Sequence, residues 1–98
     1  MASEQDLQTI KQIILASLGD YPVRAYLFGS HATGRAVRAS DIDVAVLSEG
    51  VLPAGLLSRI REEIDNSNVP YRVDLVDLSQ TDEAFRQRVL KEGIPWIA

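Results

Sequence analysis

The sequence of 98 residues contains no cysteine, so disulfide bonds and thiolate metal sites are excluded. It also lacks any apolar run near the roughly 20 residues that a membrane-spanning helix needs. The first residues include neither a basic stretch nor an apolar signal core. We therefore expect a cytoplasmic protein that does not cross or enter a membrane.

Positive charge is scarce, because 10 Lys and Arg residues stand against 14 Asp and Glu residues and give a net charge of −4. Nonspecific binding of long nucleic acid requires a basic surface, and this composition argues against it. The hydrophobic content of 46% suffices for one core of modest size. We expect residues 1–98 to form a single domain.

Two carboxylates, Asp41 and Asp43, open the second of two apolar runs in the first half of the chain. In a strand, residues i and i+2 point to the same face and lie about 6.5 Å apart. Two like charges at that spacing repel each other unless a cation lies between them. The pair therefore indicates a divalent metal site, with Mg²⁺ as the usual ion. The alternative is an ordinary solvated strand face.

The first apolar run ends at Gly29 and Ser30, ten residues before the acidic pair. Glycine permits a tight turn, and the hydroxyl of Ser30 could cap a short following helix. A helix that begins after a strand presents N–H groups to an anion. A Gly-Ser pair alone is common in turns. Its combination with the acidic pair is more specific, because it predicts a phosphate cradle beside a metal site.

The pattern Gly29-Ser30, ten residues, Asp41-Ile42-Asp43 resembles the signature of the DNA polymerase beta-like nucleotidyltransferase superfamily. The short chain is similar to the minimal nucleotidyltransferases (MNT proteins) that pair with HEPN-domain proteins. The resemblance implies an α/β (α+β) fold, a small mixed sheet with flanking helices. It also implies Mg²⁺, with two ions during catalysis, ATP as the nucleotide donor, and contact of Gly29 and Ser30 with the phosphates.

Members of this superfamily use a third carboxylate from a neighbouring strand, and two residues compete for that role. Asp74 lies in the middle of an apolar segment, where an unpaired acid would be costly to bury. Asp77 lies near the end of the segment, where a turn or cap role is more typical. We predict that Asp74 joins Asp41 and Asp43 as a catalytic and metal-binding residue.

The phosphate loop departs from the superfamily pattern. Many members carry basic residues where this chain has His31 and Thr33. Positive charge follows slightly later, at Arg35 and Arg38, and of these we favour Arg35 as the phosphate contact. Ser40, directly before the acidic pair, either caps the turn or reaches a phosphate.

The resemblance implies transfer of AMP to a tyrosine of a HEPN-domain toxin, with this chain as the antitoxin. Two other functions remain open. One is an antitoxin that neutralises its partner by binding alone. The other is a small-molecule nucleotidyltransferase, although that class usually carries an additional helical domain. A homo-oligomer is also compatible with the sequence.

Hydrophobic periodicity predicts three helices and three strands. The helices are expected at residues 3–18, 53–66 and 81–93, and the strands at residues 23–28, 42–47 and 69–78. The apolar tail at residues 94–98 is expected either to cover the sheet or core, or to contact a partner through Trp96.

Overall fold

The computed structural model describes residues 3–35 and 41–97 of the chain. Helices and strands alternate along most of its length. In order these elements are α1 (Glu4–Leu18), β1 (Val23–Phe28), α2 (Ser30–Thr33), β2 (Ile42–Ser48), α3 (Leu56–Asp65), β3 (Val73–Asp77), a 3₁₀ turn (Leu78–Gln80), α4 (Glu83–Glu92) and β4 (Ile94–Ile97).

The strands form one mixed sheet in the order β3-β2-β1-β4. β1 pairs antiparallel with both β2 and β4, whereas β2 and β3 run parallel. The parallel pair is possible because α3 crosses over between its two strands. The predicted mixed sheet with flanking helices is confirmed.

The two faces of the sheet are covered very differently. One face packs against α1 and α3 and holds the main core, which includes Ile10, Ile14, Ile42, Val44 and Ile60. On the other face, the residues that the structure describes form a small cluster beneath α4. Alternation along β2 places Ile42, Val44 and Val46 in the main core and leaves Asp43 on the α4 face. The sequence therefore directs the acidic residues to the less covered face.

Local signals explain where α1 begins and why α3 was predicted too long. Ser3 caps α1 in a reciprocal capping box with Asp6, and Gly19 follows the last helical residue as predicted. α3 begins at Leu56 rather than at Pro53, because Gly55 is its N-cap and has a positive φ of 81°. The prediction of a first helical turn at Pro53 was therefore wrong.

The C-terminal segment forms a fourth strand that the sequence analysis did not predict. β4 pairs with β1 at the edge of the sheet, where Pro95 stands opposite Tyr26. A proline is tolerated there because an edge strand needs hydrogen bonds on one side only. Trp96 packs against the main core. This contact supports the first of the two predicted roles of the tail, which is to cover the sheet and core.

None of the helices in the described residues has the length and apolar character that crossing a bilayer requires.

Candidate active site

Three carboxylates come together where β2 and β3 begin. Asp43 and Asp74 are direct partners in the parallel register, so they lie side by side on neighbouring strands about 4.8 Å apart. Asp41 immediately precedes β2 and is exposed. Its negative charge is close enough to act on Asp43. The structure thus places the three predicted acids at one end of the sheet, on the α4 face.

The carboxylate of Asp43 lies over the backbone of Gly29. Gly29 has a φ of 74° and a ψ of −150°, a conformation that is essentially restricted to glycine. A Cβ atom on Gly29 would overlap the Oδ2 atom of Asp43. Gly29 is therefore required both by its backbone conformation and by the acid above it.

The short helix α2 follows this turn directly. Gly29 is its N-cap and supplies no side-chain cap, so the prediction that the Ser30 hydroxyl caps the helix was wrong. Ser30 is instead the first helical residue, and its carbonyl oxygen accepts hydrogen bonds from the N–H groups of Gly34 and Arg35. These bonds close the C-terminal end of α2 and fix the start of the following loop.

His31 connects α2 to the beginning of β2. Its Nδ1 atom donates to the carbonyl oxygen of Asp41 at 3.1 Å, because a carbonyl can only accept. His31 also lies close enough to Asp43 to lower the pKa of that carboxyl. The contact ties together the two segments that carry the Gly-Ser turn and the acidic pair.

Asp43 is the electrostatic centre of the site. Burial raises the pKa of its carboxyl above the ordinary value of 3.8, and the neighbouring charges of Asp74 and Asp41 raise the pKa further. His31 opposes these effects. A carboxyl with a raised pKa binds a proton, or another cation, more readily than an isolated one. The site therefore favours positive charge between the carboxylates.

Asp74 reaches this site for a different reason from the one the sequence suggested. We expected an acid buried in an apolar segment, but Asp74 is exposed. β3 is an edge strand, and α4 does not cover its end of the sheet. Asp77, the competing acid, accepts hydrogen bonds from the N–H and hydroxyl of Ser79. The predicted cap role of Asp77 is confirmed.

The donor set fits a hard divalent cation, because it offers carboxylate oxygens with an excess of negative charge. Within residues 3–35 and 41–97, however, no three Asp, Glu or His side chains already stand close enough together to hold a metal ion. Asp41 and Asp74 are exposed and free to change rotamer. A bound cation would offset the repulsion that keeps like charges apart.

A pocket of about 400 Å³ lies at the Gly29 turn, and none of the three carboxylates is among its lining residues. Gly29, Ser30 and the predicted cation Arg35 all line it. Arg38 and Ser40, the two other loop residues singled out in the sequence, lie outside the described residues. Arg35 therefore lines the same pocket as Gly29 and Ser30, and its contact with a phosphate stays a prediction.

The same pocket contains residues of α4 that sequence reasoning missed. Arg88, Val89 and Glu92 close it from the side opposite the Gly29 turn. Their spacing of i, i+1 and i+4 puts Arg88 and Glu92 on one side of the helix. That spacing was visible in the sequence. The sequence did not show that these α4 residues lie close to a turn almost 60 residues earlier.

The chain matches the family model "Polymerase beta, Nucleotidyltransferase" over residues 8–97. Among curated proteins it is similar to the probable protein adenylyltransferase MntA of Haemophilus influenzae. The two are 38% identical over 87 residues, which are 89% of this chain and 75% of that protein.

Solved structures of toxin–antitoxin complexes show the same fold. A chain of a toxin–antitoxin crystal structure with AMP-PNP is 31% identical, with a TM-score of 0.68 over 88% of this chain and 71% of its own length. A chain from the complex of tri-AMPylated Shewanella oneidensis HEPN toxin with MNT antitoxin is 28% identical. Its TM-score is 0.62 over 91% of this chain and 70% of its own length.

Proposed function

This chain belongs to the polymerase beta nucleotidyltransferase family, and from that premise we propose that it transfers AMP from ATP to a tyrosine of a HEPN-domain toxin. We further propose that residues 1–98 act as a single nucleotidyltransferase domain and that the reaction is cytoplasmic, where ATP is supplied. The transfer would neutralise the toxin, which makes this chain an antitoxin.

The observation that carries this proposal is the side-by-side placement of Asp43 and Asp74 beside the Gly29 turn. The carboxylates and a pocket of about 400 Å³ meet at one glycine. Phosphoryl transfer needs such a pair of subsites, one for the metal at the reacting phosphorus and one for the remaining phosphates.

Asp41, Asp43 and Asp74 are the residues that would hold Mg²⁺. When bound, Mg²⁺ would neutralise negative charge on the triphosphate and on the attacking and leaving oxygens. Burial is the largest cause of the raised pKa of Asp43, and the charges of Asp74 and Asp41 raise that pKa further; the effect of these two charges supports the assignment. Gly29, Ser30 and Arg35 would contact the phosphates, and Ser40 is retained as a further phosphate contact proposed from the sequence.

The reaction is a displacement at the α-phosphorus of ATP. The tyrosine oxygen bonds to that phosphorus while the bond to the bridging oxygen between the α and β phosphates breaks, and pyrophosphate leaves with the electron pair. We assign acceptance of the tyrosine proton to Asp74. Its carboxylate is exposed on the open face of the sheet, where an acceptor from another protein could reach it.

Replacing Arg35 with Ala should weaken ATP binding by about 1.5–3 kcal/mol, the usual range for a hydrogen bond to a charged group. The physical reason is that Arg35 lines the pocket while positions 31 and 33 carry no arginine. Calorimetric titration of ATP with Mg²⁺ measures the change. Arg59→Ala on α3, which packs on the opposite face, removes the same charge and should leave the affinity unchanged.

The acceptor is tested by incubating this chain with a HEPN-domain protein as the proposed partner. Incubation of both proteins with ATP and Mg²⁺ should add AMP to a tyrosine of the partner, as detected by mass spectrometry of its peptides. Replacement of ATP by α,β-methylene-ATP, whose methylene bridge cannot leave as pyrophosphate, should abolish the modification. A partner whose acceptor tyrosine is changed to phenylalanine should remain unmodified.

Other outcomes of this experiment identify the alternative functions. If the toxin loses its activity in the complex although no AMP is attached to it, this chain neutralises the toxin by binding alone. Transfer of AMP to a free small molecule, with no change in the mass of the partner, would mean a small-molecule nucleotidyltransferase. Either outcome would overturn the proposed function.

A further inference from the structure

Helix α4 is fixed beside the Gly29 turn by two contacts with β1. The rings of Phe28 and Phe85 meet edge to face, with centroids 5.7 Å apart and planes at 89°. At the other end of α4, a Cβ atom on Gly93 would meet the side chain of Tyr26 at 3.1 Å. The close approach depends on this glycine. These contacts set the distance between α4 and the end of β1.

Arg88 projects into the pocket from this fixed helix. It follows Phe85 by three residues, and its guanidinium carbon lies 5.8 Å from the centroid of the Phe85 ring. The ring supports the aliphatic and planar parts of an arginine without consuming its hydrogen-bond donors. Among the described residues Arg88 forms no ion pair, because the one ion pair found there joins Arg86 to Glu83. The donors of Arg88 are thus available to a ligand.

The pocket and the carboxylate site differ in the sign of the charges that surround them. Arg35 and Arg88 line the pocket with one opposing acid, Glu92. Across the Gly29 turn lie Asp43 and its two acidic neighbours. Although the chain has a net charge of −4, two of its arginines line one pocket close to the carboxylates. Such a pocket is suited to an anion that extends away from a metal held by the carboxylates.

We propose that Arg88 binds the pyrophosphate portion of the nucleoside triphosphate and, with Arg35, replaces the basic residues that the loop lacks at positions 31 and 33. This inference rests on the proposed function and specifies which residues receive the leaving group. Glu92, four residues after Arg88, lowers the net positive charge of the pocket. It limits how tightly the product pyrophosphate is held.

The proposal is tested by calorimetric titration of ATP, pyrophosphate and AMP, each with Mg²⁺, into the full chain. Arg88→Gln should weaken binding of ATP and of pyrophosphate by about tenfold or more, the size expected for loss of a charge-assisted hydrogen bond. Binding of AMP should not change, because AMP lacks the two phosphates that Arg88 contacts. Arg88→Lys keeps the charge but loses the planar fork and should recover part of the lost affinity.

Two further variants distinguish local binding from general charge. Lys91→Gln makes the same change in charge on α4, but Lys91 does not line the pocket, so its affinities should match those of the wild type. Glu92→Gln removes the opposing acid and should tighten pyrophosphate binding severalfold. Melting temperatures of all variants establish that each remains folded.

The results separate the inference from the proposed function. If the wild type binds neither ATP nor pyrophosphate, both are overturned. If the wild type binds ATP but Arg88→Gln and Lys91→Gln behave alike, only the inference is overturned. If Glu92→Gln weakens binding of AMP and leaves binding of pyrophosphate unchanged, the pocket holds hydroxyl groups of the ribose rather than phosphates, which would also overturn the inference.

Discussion

Asp43→Asn should reduce AMP transfer by at least about 10²–10³-fold, the usual cost of removing a group that stabilises transition-state charge. Asparagine keeps the shape of the side chain over Gly29, so the turn is preserved. It removes the central charge of the proposed metal site. Transfer to the partner protein and calorimetric titration of ATP with Mg²⁺ measure the two consequences separately.

The same substitution should leave the melting temperature unchanged or raise it slightly at neutral pH. The folded protein holds the Asp43 carboxyl with a raised pKa, because burial and two like charges disfavour its ionised form. Ionised Asp43 therefore destabilises the fold above that raised pKa. As the pH falls through the raised value toward 3.8, the carboxyl gains a proton and the penalty disappears. The stability difference between wild type and Asp43→Asn should shrink over that range.

Asp77→Ala is the matched control on the neighbouring strand. Asp77 accepts hydrogen bonds from Ser79 at 2.9 and 2.7 Å and caps the 3₁₀ turn. Its loss should lower the free energy of unfolding by about 1 kcal/mol and leave transfer intact. Asp43→Asn should show the opposite pattern. Equal losses of activity in the two variants would remove the special role assigned to Asp43.

The main features of the fold were predictable because local and periodic signals agreed. β1 was predicted with its observed bounds, and β2 differed by a single residue at its end. The capping box at Ser3 and the glycine after Leu18 defined α1. Alternation along β2 correctly assigned Asp43 to one face and its apolar neighbours to the other.

The errors arose where tertiary contacts override local preference. The tail was expected to cover the sheet or core, or to contact a partner, but residues 94–97 join the sheet as an edge strand, a position that accepts Pro95. The apolar neighbours of Asp74 suggested burial, yet the edge of a sheet leaves that side chain exposed. Both facts depend on the order of strands in the sheet, which hydrophobic pattern alone does not specify.

The acids and the Gly29 turn of the candidate site were predictable from the sequence, but the α4 side of the pocket was not. Asp41, Asp43 and Gly29 stand close together in the sequence, and their spacing carried the family resemblance. Arg88 reaches the pocket through the packing of α4 on β1, which includes the contact of Phe85 with Phe28. A contact between residues so far apart in the chain requires the folded structure.

Gly29→Ala should reduce the rate of AMP transfer by more than its loss of stability alone would explain. A side chain at this position is strained by the backbone, at a cost of about 1–3 kcal/mol. The new Cβ also occupies the place of the Asp43 carboxylate, so the acid must move. We expect transfer to fall by at least about 100-fold, since displacement of a reacting group by about 1 Å has costs of that size.

Gly34→Ala provides the comparison that isolates this effect. Gly34 ends the same short helix with a φ of 76°, close to the 74° of Gly29, and a Cβ atom there would meet nothing within 4 Å. Gly34→Ala should lower the free energy of unfolding by about 1–2 kcal/mol, because alanine is strained in a left-handed backbone conformation, and should leave transfer largely intact. Mn²⁺ binding, followed by electron paramagnetic resonance below both melting temperatures, should be weakened in Gly29→Ala alone. If the two variants lose transfer and Mn²⁺ affinity equally, backbone strain explains both. The contact between Gly29 and Asp43 would then have no part in organising the site.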